Sequence, residues 1–198
     1  MKTSPLQLCK GDVLLVVDVQ NDFLPGGALG VPGGEAIIPV LDGYGEKFDH
    51  CGLPVIASRD WHPTDHCSFR EQGGPWPVHC VAGTHGAELA ATLALPRHSE
   101  IVSKGTQRER EAYSAFQDTG LAARLRRRHC RRLFIGGLAT DYCVRATALD
   151  ALAAGFEVVV LEDAVRAVDL QPGDGVRALA EMRARGAQCA RLDEVSVG

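Results

Sequence analysis

Residues 132–145 read RLFIGGLATDYCVR, and this stretch decides the fold that we predict for the chain. The apolar run Leu133–Ile135 is typical of a buried strand, and the glycine pair that follows it predicts the end of that strand. Thr140 is a good N-cap residue, so we expect a helix to begin there. Cys143 would then lie in the first helical turn, just past the carboxyl end of a strand.

The position predicted for Cys143 favours chemistry at its sulfur atom. Unpaired backbone N–H groups and the positive end of a helix dipole stabilise a thiolate, and the same N–H groups can bind a developing oxyanion. The alternative is a buried structural cysteine, because free cysteines are usually core residues. This stretch alone leaves both interpretations open.

The composition is that of an ordinary folded protein. The chain has 198 residues, of which 45% are hydrophobic, and a formal net charge of −4, which suits one domain, 1–198, with a full core. Its basic run, 124–132, lies at the end of a predicted helix and is better explained as a solvated face than as a nucleic-acid surface. We find no signal-peptide core or transmembrane stretch, and the seven cysteines lack a CxxC pair, a pattern typical of free thiols in a reducing cytoplasm. We therefore expect a cytoplasmic protein that binds neither nucleic acid nor membranes; self-association to a homo-oligomer is left open.

Strands and helices are predicted to alternate along the chain. The predicted strands besides the one in 132–145 are 12–19, 53–58, 100–103, 156–161 and 187–192, and the predicted helices are 34–49, 87–93, 119–128 and 173–185. Residues 162–164 are expected to form a turn after the strand that precedes them. Apolar strands without polar alternation suit a parallel sheet covered on both faces. The predicted fold class is therefore α/β, a three-layer α/β/α sandwich with a mostly parallel central sheet.

Three reactive side chains follow strands of this predicted sheet. Asp18, Lys104 and Cys143 each come at the carboxyl end of a strand, and in a parallel sheet those ends lie along one edge. There the Lys104 ammonium would lower the pKa of the thiol, and Asp18 would accept the thiol proton and pass it to a leaving amine. Each residue alone is more often structural, but together they meet the requirements of a nucleophile with its base and a neighbouring cation.

A segment rich in glycine, proline and histidine, 59–85, follows the second predicted strand and is expected to lie over the same edge. Four of its side chains suit a divalent ion: Asp60, His62, His66 and His79. Two histidines and one carboxylate leave coordination positions open, as functional sites do. The alternative is that these histidines cap turns in a loop, because their spacing is not that of a zinc finger.

Five motifs, in order and suitably spaced, resemble the nicotinamidase branch of the isochorismatase-like cysteine hydrolases. They are Asp18–Phe23 (DVQNDF), Asp60–Pro63 (DWHP), Trp76–Cys80 (WPVHC), Lys104–Thr106 (KGT) and Gly137–Cys143 (GLATDYC). One such motif would be a weak indication, whereas five in register are specific. The resemblance runs from about residue 12 to the C-terminus and implies a single isochorismatase-like hydrolase domain.

The resemblance implies a catalytic role for several matching residues. Asp18, Lys104 and Cys143 correspond to the catalytic triad of the family. The backbone amides of Ala139 and Cys143 correspond to its oxyanion hole, with a cis peptide bond before Ala139. Leu138 stands where many members carry valine, a departure that should not disturb the chemistry.

The resemblance also implies a metal site and an aromatic pocket. The ligands would be Asp60, His62 and His79, with His66 as a further ligand that only some members use. The metal would be Zn²⁺, with Fe²⁺ and Mn²⁺ as alternatives. The rings expected to line the substrate pocket are those of Phe23, Trp76 and Tyr113.

The implied activity is that of an amidohydrolase acting on a small molecule. It would convert nicotinamide to nicotinic acid and ammonia through a cysteine thioester, as in NAD salvage, and would also accept pyrazinamide. The metal set favours the nicotinamidase branch, since isochorismatase-type members generally lack it. The alternatives are another amidohydrolase of the superfamily, acting on N-carbamoyl or ureide substrates, and a non-catalytic metal-binding protein.

Overall fold

The computed structural model describes residues 5–197, and its strands and helices alternate as predicted. The strands are β1 (Leu6–Gln7), β2 (Asp12–Val17), β3 (Val55–Asp60), β4 (Glu100–Lys104), β5 (Arg132–Leu138), β6 (Glu157–Arg166), β7 (Gln188–Ala190) and β8 (Val195–Ser196). The α-helices are α1 (Ile38–His50), α2 (Leu121–Arg127), α3 (Arg145–Ala153) and α4 (Asp174–Ala184). No helix within 5–197 is long and apolar enough to cross a membrane.

Six strands form one parallel sheet in the order β4-β3-β2-β5-β6-β7, and β1 pairs with β8 beside it. Side chains alternate between the two faces, as the pleat of a strand requires. Leu14 and Val16 of β2 pack in the cluster that contains α1 residues, whereas Val13, Leu15 and Val17 pack in the cluster that contains residues of α2, α3 and α4. The sheet therefore has helices on both faces, and the predicted α/β sandwich is confirmed.

The order of the strands reverses between β2 and β5. After β2 the chain adds β3 and β4 on one side of that strand, and it later places β5 on the other side. The β2–β5 pairing runs from Asp12 opposite Arg132 to Val17 opposite Gly137. A Cβ on Gly137, whose φ is +125°, would lie 2.0 Å from the Val17 carbonyl oxygen, so the two strands can meet here only through glycine. Ligands of open α/β sheets bind outside the carboxyl ends at such a reversal point.

Two local predictions were wrong. Residues 87–93 do not form a helix, because their backbone bonds to the loop after β2: Ala90 N–H donates to the Val19 carbonyl and Asn21 N–H to the Glu88 carbonyl. Residues 162–164 are not a turn, since β6 continues to Arg166 alongside β5 after a shift of register. In both places long-range backbone pairing overrides the local signal.

Candidate active site

The three predicted reactive side chains lie together at the carboxyl edge of the sheet. Asp18 directly follows β2 in a left-handed conformation, with a φ of +50°, that aspartate tolerates better than most residues. Lys104 is the last residue of β4, and Cys143 lies in the turn after β5. All three side chains are buried. The sheet thus brings residues from three strand ends into one place.

The Lys104 ammonium uses all of its hydrogen-bond donors inside this group. Nζ donates to Oδ1 of Asp60 at 2.6 Å, to the Ala112 carbonyl at 3.0 Å and to Sγ of Cys143 at 3.5 Å. An ammonium has three N–H groups, so these partners account for all of them. Oδ2 of Asp18 lies 2.9 Å from Nζ and forms an ion pair with Lys104, although the geometry is not that of a hydrogen bond.

The two carboxylate oxygens of Asp18 have different surroundings. Its Oδ1 accepts a hydrogen bond from the Ser58 hydroxyl at 2.7 Å. Its Oδ2 is buried and has no hydrogen-bond donor within residues 5–197. A carboxylate oxygen of Asp18 and Sγ of Cys143 lie within 4.8 Å of each other. The Asp18 carboxylate is thus near enough to accept a proton from the thiol.

The pKa values in this group are governed by burial and by the two carboxylates. Although burial lowers the pKa of Lys104, the charges of Asp18 and Asp60 outweigh it, so the pKa is raised and the side chain is an ammonium. Burial raises the pKa of Asp18 against the charge of Lys104. Burial likewise raises the pKa of the Cys143 thiol well above its usual value, although Lys104 acts in the opposite direction. Lys104 thus lowers the pKa of the thiol as expected, but burial outweighs its charge and the net direction is upward.

The turn that carries Cys143 differs from the predicted helix start. Thr140 is not an N-cap: it is the first residue of one π-helical turn, Thr140–Val144, and α3 follows. The N–H groups of Tyr142 and Val144 both donate to the Ala139 carbonyl, at 3.1 and 3.0 Å. The Leu138–Ala139 peptide bond is cis, as the resemblance implied. The chain thus turns around Ala139. Cys143 lies between two residues whose backbone N–H groups both bond to the Ala139 carbonyl.

Three of the four predicted metal ligands lie together. One donor atom from each of Asp60, His62 and His79 falls within 4.8 Å of the others. The Nδ1 atoms of the two rings lie 2.9 Å from the Gly105 carbonyl and 2.8 Å from the Pro77 carbonyl. A carbonyl only accepts, so each Nδ1 carries a proton, and in the neutral ring Nε2 keeps a lone pair. Although burial lowers the pKa of His62, Asp60, whose Oδ2 lies 3.7 Å from Nε2 of that ring, raises it on balance. Burial also lowers the pKa of His79, which favours the neutral ring. Two imidazoles with free Nε2 atoms and one carboxylate are donors that suit Zn²⁺ or a similar ion.

The structure does not bring His66 into this group. Its ring stacks on that of His62, with centroids 4.1 Å apart. Nδ1 lies 2.7 Å from the Ser68 hydroxyl, and Nε2 lies 3.0 Å from the Arg110 carbonyl. Both ring nitrogens of His66 therefore already have hydrogen-bond partners. The geometry does not support His66 as a metal ligand.

A cavity of about 460 Å³, counting its open mouth, leads from the surface to Cys143. The three predicted aromatic residues all line it, and Nε1 of Trp76 donates a hydrogen bond to the hydroxyl of Tyr113 at 2.9 Å. The other lining residues are Leu29, Val31, Asp60, His79, Glu111, Ala139, Tyr142, Cys143 and Val168. An apolar slot with polar groups at its floor suits a small aromatic ligand.

Several residues of this site were not predicted from the sequence. The side chain of Gln20 donates to the carbonyls of Asp60, at 2.8 Å, and Ala87, at 2.9 Å, and accepts from the Asp60 N–H at 2.7 Å. Ser58 is a polar residue near the end of a buried strand, and that position could have marked it. Glu111 and Val168 lie in loops whose sequence carries no periodic signal.

Comparison with known proteins places the chain in a group of hydrolases. The family model of the isochorismatase domain matches residues 12–194. The nicotinamidase of Escherichia coli is 40% identical over 195 residues, which cover 88% of this chain and 92% of that protein. The pyrazinamidase of Pyrococcus horikoshii, solved in complex with zinc, is 52% identical with a TM-score of 0.88, covering 91% of this chain and 99% of that one. PnC1 of L. infantum, solved in complex with nicotinate, is 38% identical with a TM-score of 0.89, covering 99% and 100%.

Proposed function

The chain belongs to the isochorismatase family, and from this premise we propose that it is a nicotinamidase, which hydrolyses nicotinamide to nicotinic acid and ammonia. One observation carries the proposal. A buried thiol, a carboxylate and an ammonium lie at the floor of an aromatic cavity, beside a carboxylate and two imidazoles fit to hold a divalent ion. The first group suits acyl transfer from an amide, and the second suits a substrate with a ring nitrogen.

In the proposed mechanism Cys143 is the nucleophile. Its Sγ attacks the carboxamide carbon, and the thiol proton moves to the carboxylate of Asp18, which lies within reach of the sulfur. The amides of Ala139 and Cys143 hold the oxyanion of the tetrahedral intermediate. Asp18 then gives the proton to the amide nitrogen, the carbon–nitrogen bond breaks, and ammonia leaves a thioester on Cys143.

The second half of the reaction uses the same two residues. Asp18 removes a proton from a water molecule, whose oxygen attacks the thioester carbonyl. The carbon–sulfur bond breaks, the proton returns to the sulfur of Cys143, and nicotinic acid is released. Lys104 remains an ammonium throughout, because the charges of Asp18 and Asp60 outweigh the effect of burial on its pKa.

Asp60, His62 and His79 would hold the metal, for which we propose Zn²⁺, with Fe²⁺ and Mn²⁺ as alternatives. When bound, the ion supplies a Lewis acid that positions the pyridine nitrogen of the substrate, directly or through a water molecule. The rings of Phe23 and Trp76 would enclose the substrate ring. Because pyrazinamide has a ring nitrogen in the same place, we expect it to be a second substrate, in keeping with the similarity to a pyrazinamidase.

Ammonia release from purified, metal-analysed protein tests the proposal. Nicotinamide and pyrazinamide should both be hydrolysed, whereas N-carbamoylated amines should not; the opposite preference would refute the assignment. Cys143→Ala should abolish turnover and retain nicotinamide binding, and Cys189→Ala, which removes a free thiol in β7, is the matched control that should keep wild-type activity. Turnover by Cys143→Ala at the wild-type rate would show that another residue is the nucleophile.

A further inference from the structure

We propose that His66 is a positioning residue that holds segment 108–113 against the active site, and that it is not a metal ligand. Segment 108–113 is the stretch from Arg108 to Tyr113. The effect on substrate rests on the proposed function, whereas the effects on metal binding and on the segment itself do not.

Hydrogen bonds fix the tautomer of the His66 ring. Nδ1 lies 3.3 Å from the backbone N–H of Ser68, a group that only donates, and 2.7 Å from the Ser68 hydroxyl. Nδ1 is therefore an acceptor without a proton. The proton of the neutral ring must then be on Nε2, which donates it to the Arg110 carbonyl at 3.0 Å. Neither nitrogen has a lone pair left for a metal ion.

His62 and His79 show the opposite arrangement in the same loop. In both rings Nδ1 faces a backbone carbonyl, so Nδ1 carries the proton and Nε2 keeps its lone pair. His66 could become a ligand only by breaking its bonds to Ser68 and Arg110. The Arg110 carbonyl would then lose the donor that it has in His66.

The bond from His66 reaches the segment that completes the cavity. Arg110 is followed by Glu111, which lines the cavity, and then by Ala112, whose carbonyl accepts from Nζ of Lys104 at 3.0 Å. Tyr113 at the end of the segment forms another part of the cavity wall. One imidazole N–H therefore connects the loop of metal ligands to both the pocket wall and the environment of the lysine.

Two other contacts with this loop hold the start of segment 108–113. The Cys67 N–H donates to the Arg108 carbonyl at 2.8 Å, and the Arg108 side chain pairs with Asp65 at 3.0 Å. Both side chains of that ion pair are largely exposed, and exposed pairs contribute little. The bond from Trp76 Nε1 to the Tyr113 hydroxyl holds the end of the segment at the cavity, and the bond from His66 holds the middle of the segment at Arg110.

His66→Phe tests the proposal, because phenylalanine keeps a ring against His62 but has no N–H. In the zinc-loaded protein we expect the amides of segment 108–113 to exchange hydrogen about fivefold faster, and kcat/KM for nicotinamide to fall about tenfold. Zinc affinity, measured by competition with a chelator, should stay within about twofold of wild type. His66→Gln, which keeps an N–H donor, should restore slow exchange.

The positive control for loss of a ligand is His79→Ala, whose zinc affinity should fall by more than about a hundredfold. A similar fall for His66→Phe, or unchanged exchange of segment 108–113, would overturn the proposal. If His66→Phe does not fold, Ser68→Ala takes its place. It removes the hydroxyl, the shorter of the two contacts of Nδ1, and so loosens the ring: exchange should rise and zinc affinity should hold, and the reverse result would overturn the proposal. If nicotinamide is not hydrolysed at all, the exchange and zinc measurements still decide the role of His66.

Discussion

The proposed role of Asp18 as the base can be tested through its partner Ser58. Ser58→Ala removes the hydroxyl that donates to Oδ1 of Asp18 at 2.7 Å. This hydrogen bond stabilises the carboxylate and lowers its pKa, while burial raises it and the net pKa is above the ordinary value. Without the hydroxyl, the pKa of Asp18 should rise further. A base must be deprotonated to act, so activity should begin to fall at a higher pH than in the wild type.

The size of the shift follows from the kind of bond that is lost. A hydroxyl bonded to a carboxylate at this distance is charge-assisted, and such bonds contribute about 1.5–3 kcal/mol. One pH unit corresponds to about 1.36 kcal/mol, which gives roughly one to two units. The charge of Lys104, 2.9 Å from Oδ2, is unchanged in the variant. We therefore expect a shift of about one unit, at the low end of that range.

The assay is the pH profile of kcat/KM for nicotinamide, which reports groups of the free enzyme. The acidic limb of Ser58→Ala should move upward while the activity at its plateau is reduced only modestly. Ser103→Ala is the matched control: Ser103 lies on β4, and its hydroxyl accepts from Nε of Arg59, away from Asp18. An unmoved acidic limb in a folded Ser58→Ala protein would mean that Asp18 is not the base.

Three further predictions concern the cavity and the core. Glu111 lines the cavity, so Glu111→Gln should strengthen inhibition by the anionic product nicotinate about threefold or more, with little change in KM for the neutral substrate; equal inhibition in both proteins would contradict this. Both carboxylate oxygens of Asp141 accept hydrogen bonds from backbone N–H groups of the loop that carries Val168, a cavity residue. Asp141→Ala should therefore raise KM for nicotinamide about tenfold in steady-state kinetics, and an unchanged KM would contradict this. Phe134 is fully buried in β5, so Phe134→Ala should lower the free energy of unfolding by about 3–5 kcal/mol in urea denaturation, and a loss below about 1 kcal/mol would contradict the packing.

The sequence predicted the sheet well because its strands carry a strong local signal. The apolar runs that became β2 and β5 have no polar alternation, which is typical of strands covered on both faces, and the structure buries every residue of both. The helix predicted at 87–93 failed for the opposite reason. Its conformation depends on Val19 and Asn21, which are distant in sequence, and no local pattern records such pairing.

Within the site, positions next to strand ends were predictable and bonding partners were not. Placing Asp18, Lys104 and Cys143 needed only the rule that parallel strands share an edge. Which nitrogen of a histidine ring carries the proton could be assigned only from the backbone carbonyl that it faces, such as that of Gly105 for His62. A Cβ on Gly105 would lie 2.4 Å from the His62 ring, which explains the glycine of the Lys104–Thr106 motif only once the structure is known. The motif identified Gly105 as part of the site, but the sequence alone did not show why glycine is required there.

The protonation of the buried group explains how a thiol with a raised pKa can act as a nucleophile. As the base, Asp18 must be a carboxylate before the thiol loses its proton; with Asp60 also a carboxylate, Lys104 an ammonium and Cys143 a thiol, the group then carries one net negative charge. Losing the thiol proton to solvent would leave two negative charges in a site where burial makes each additional charge costly. Moving the proton to the carboxylate of Asp18 keeps the total at one, because the carboxyl becomes neutral as the thiolate forms. Burial, which raises the pKa of both groups, therefore opposes a resting thiolate without opposing proton transfer between Cys143 and Asp18.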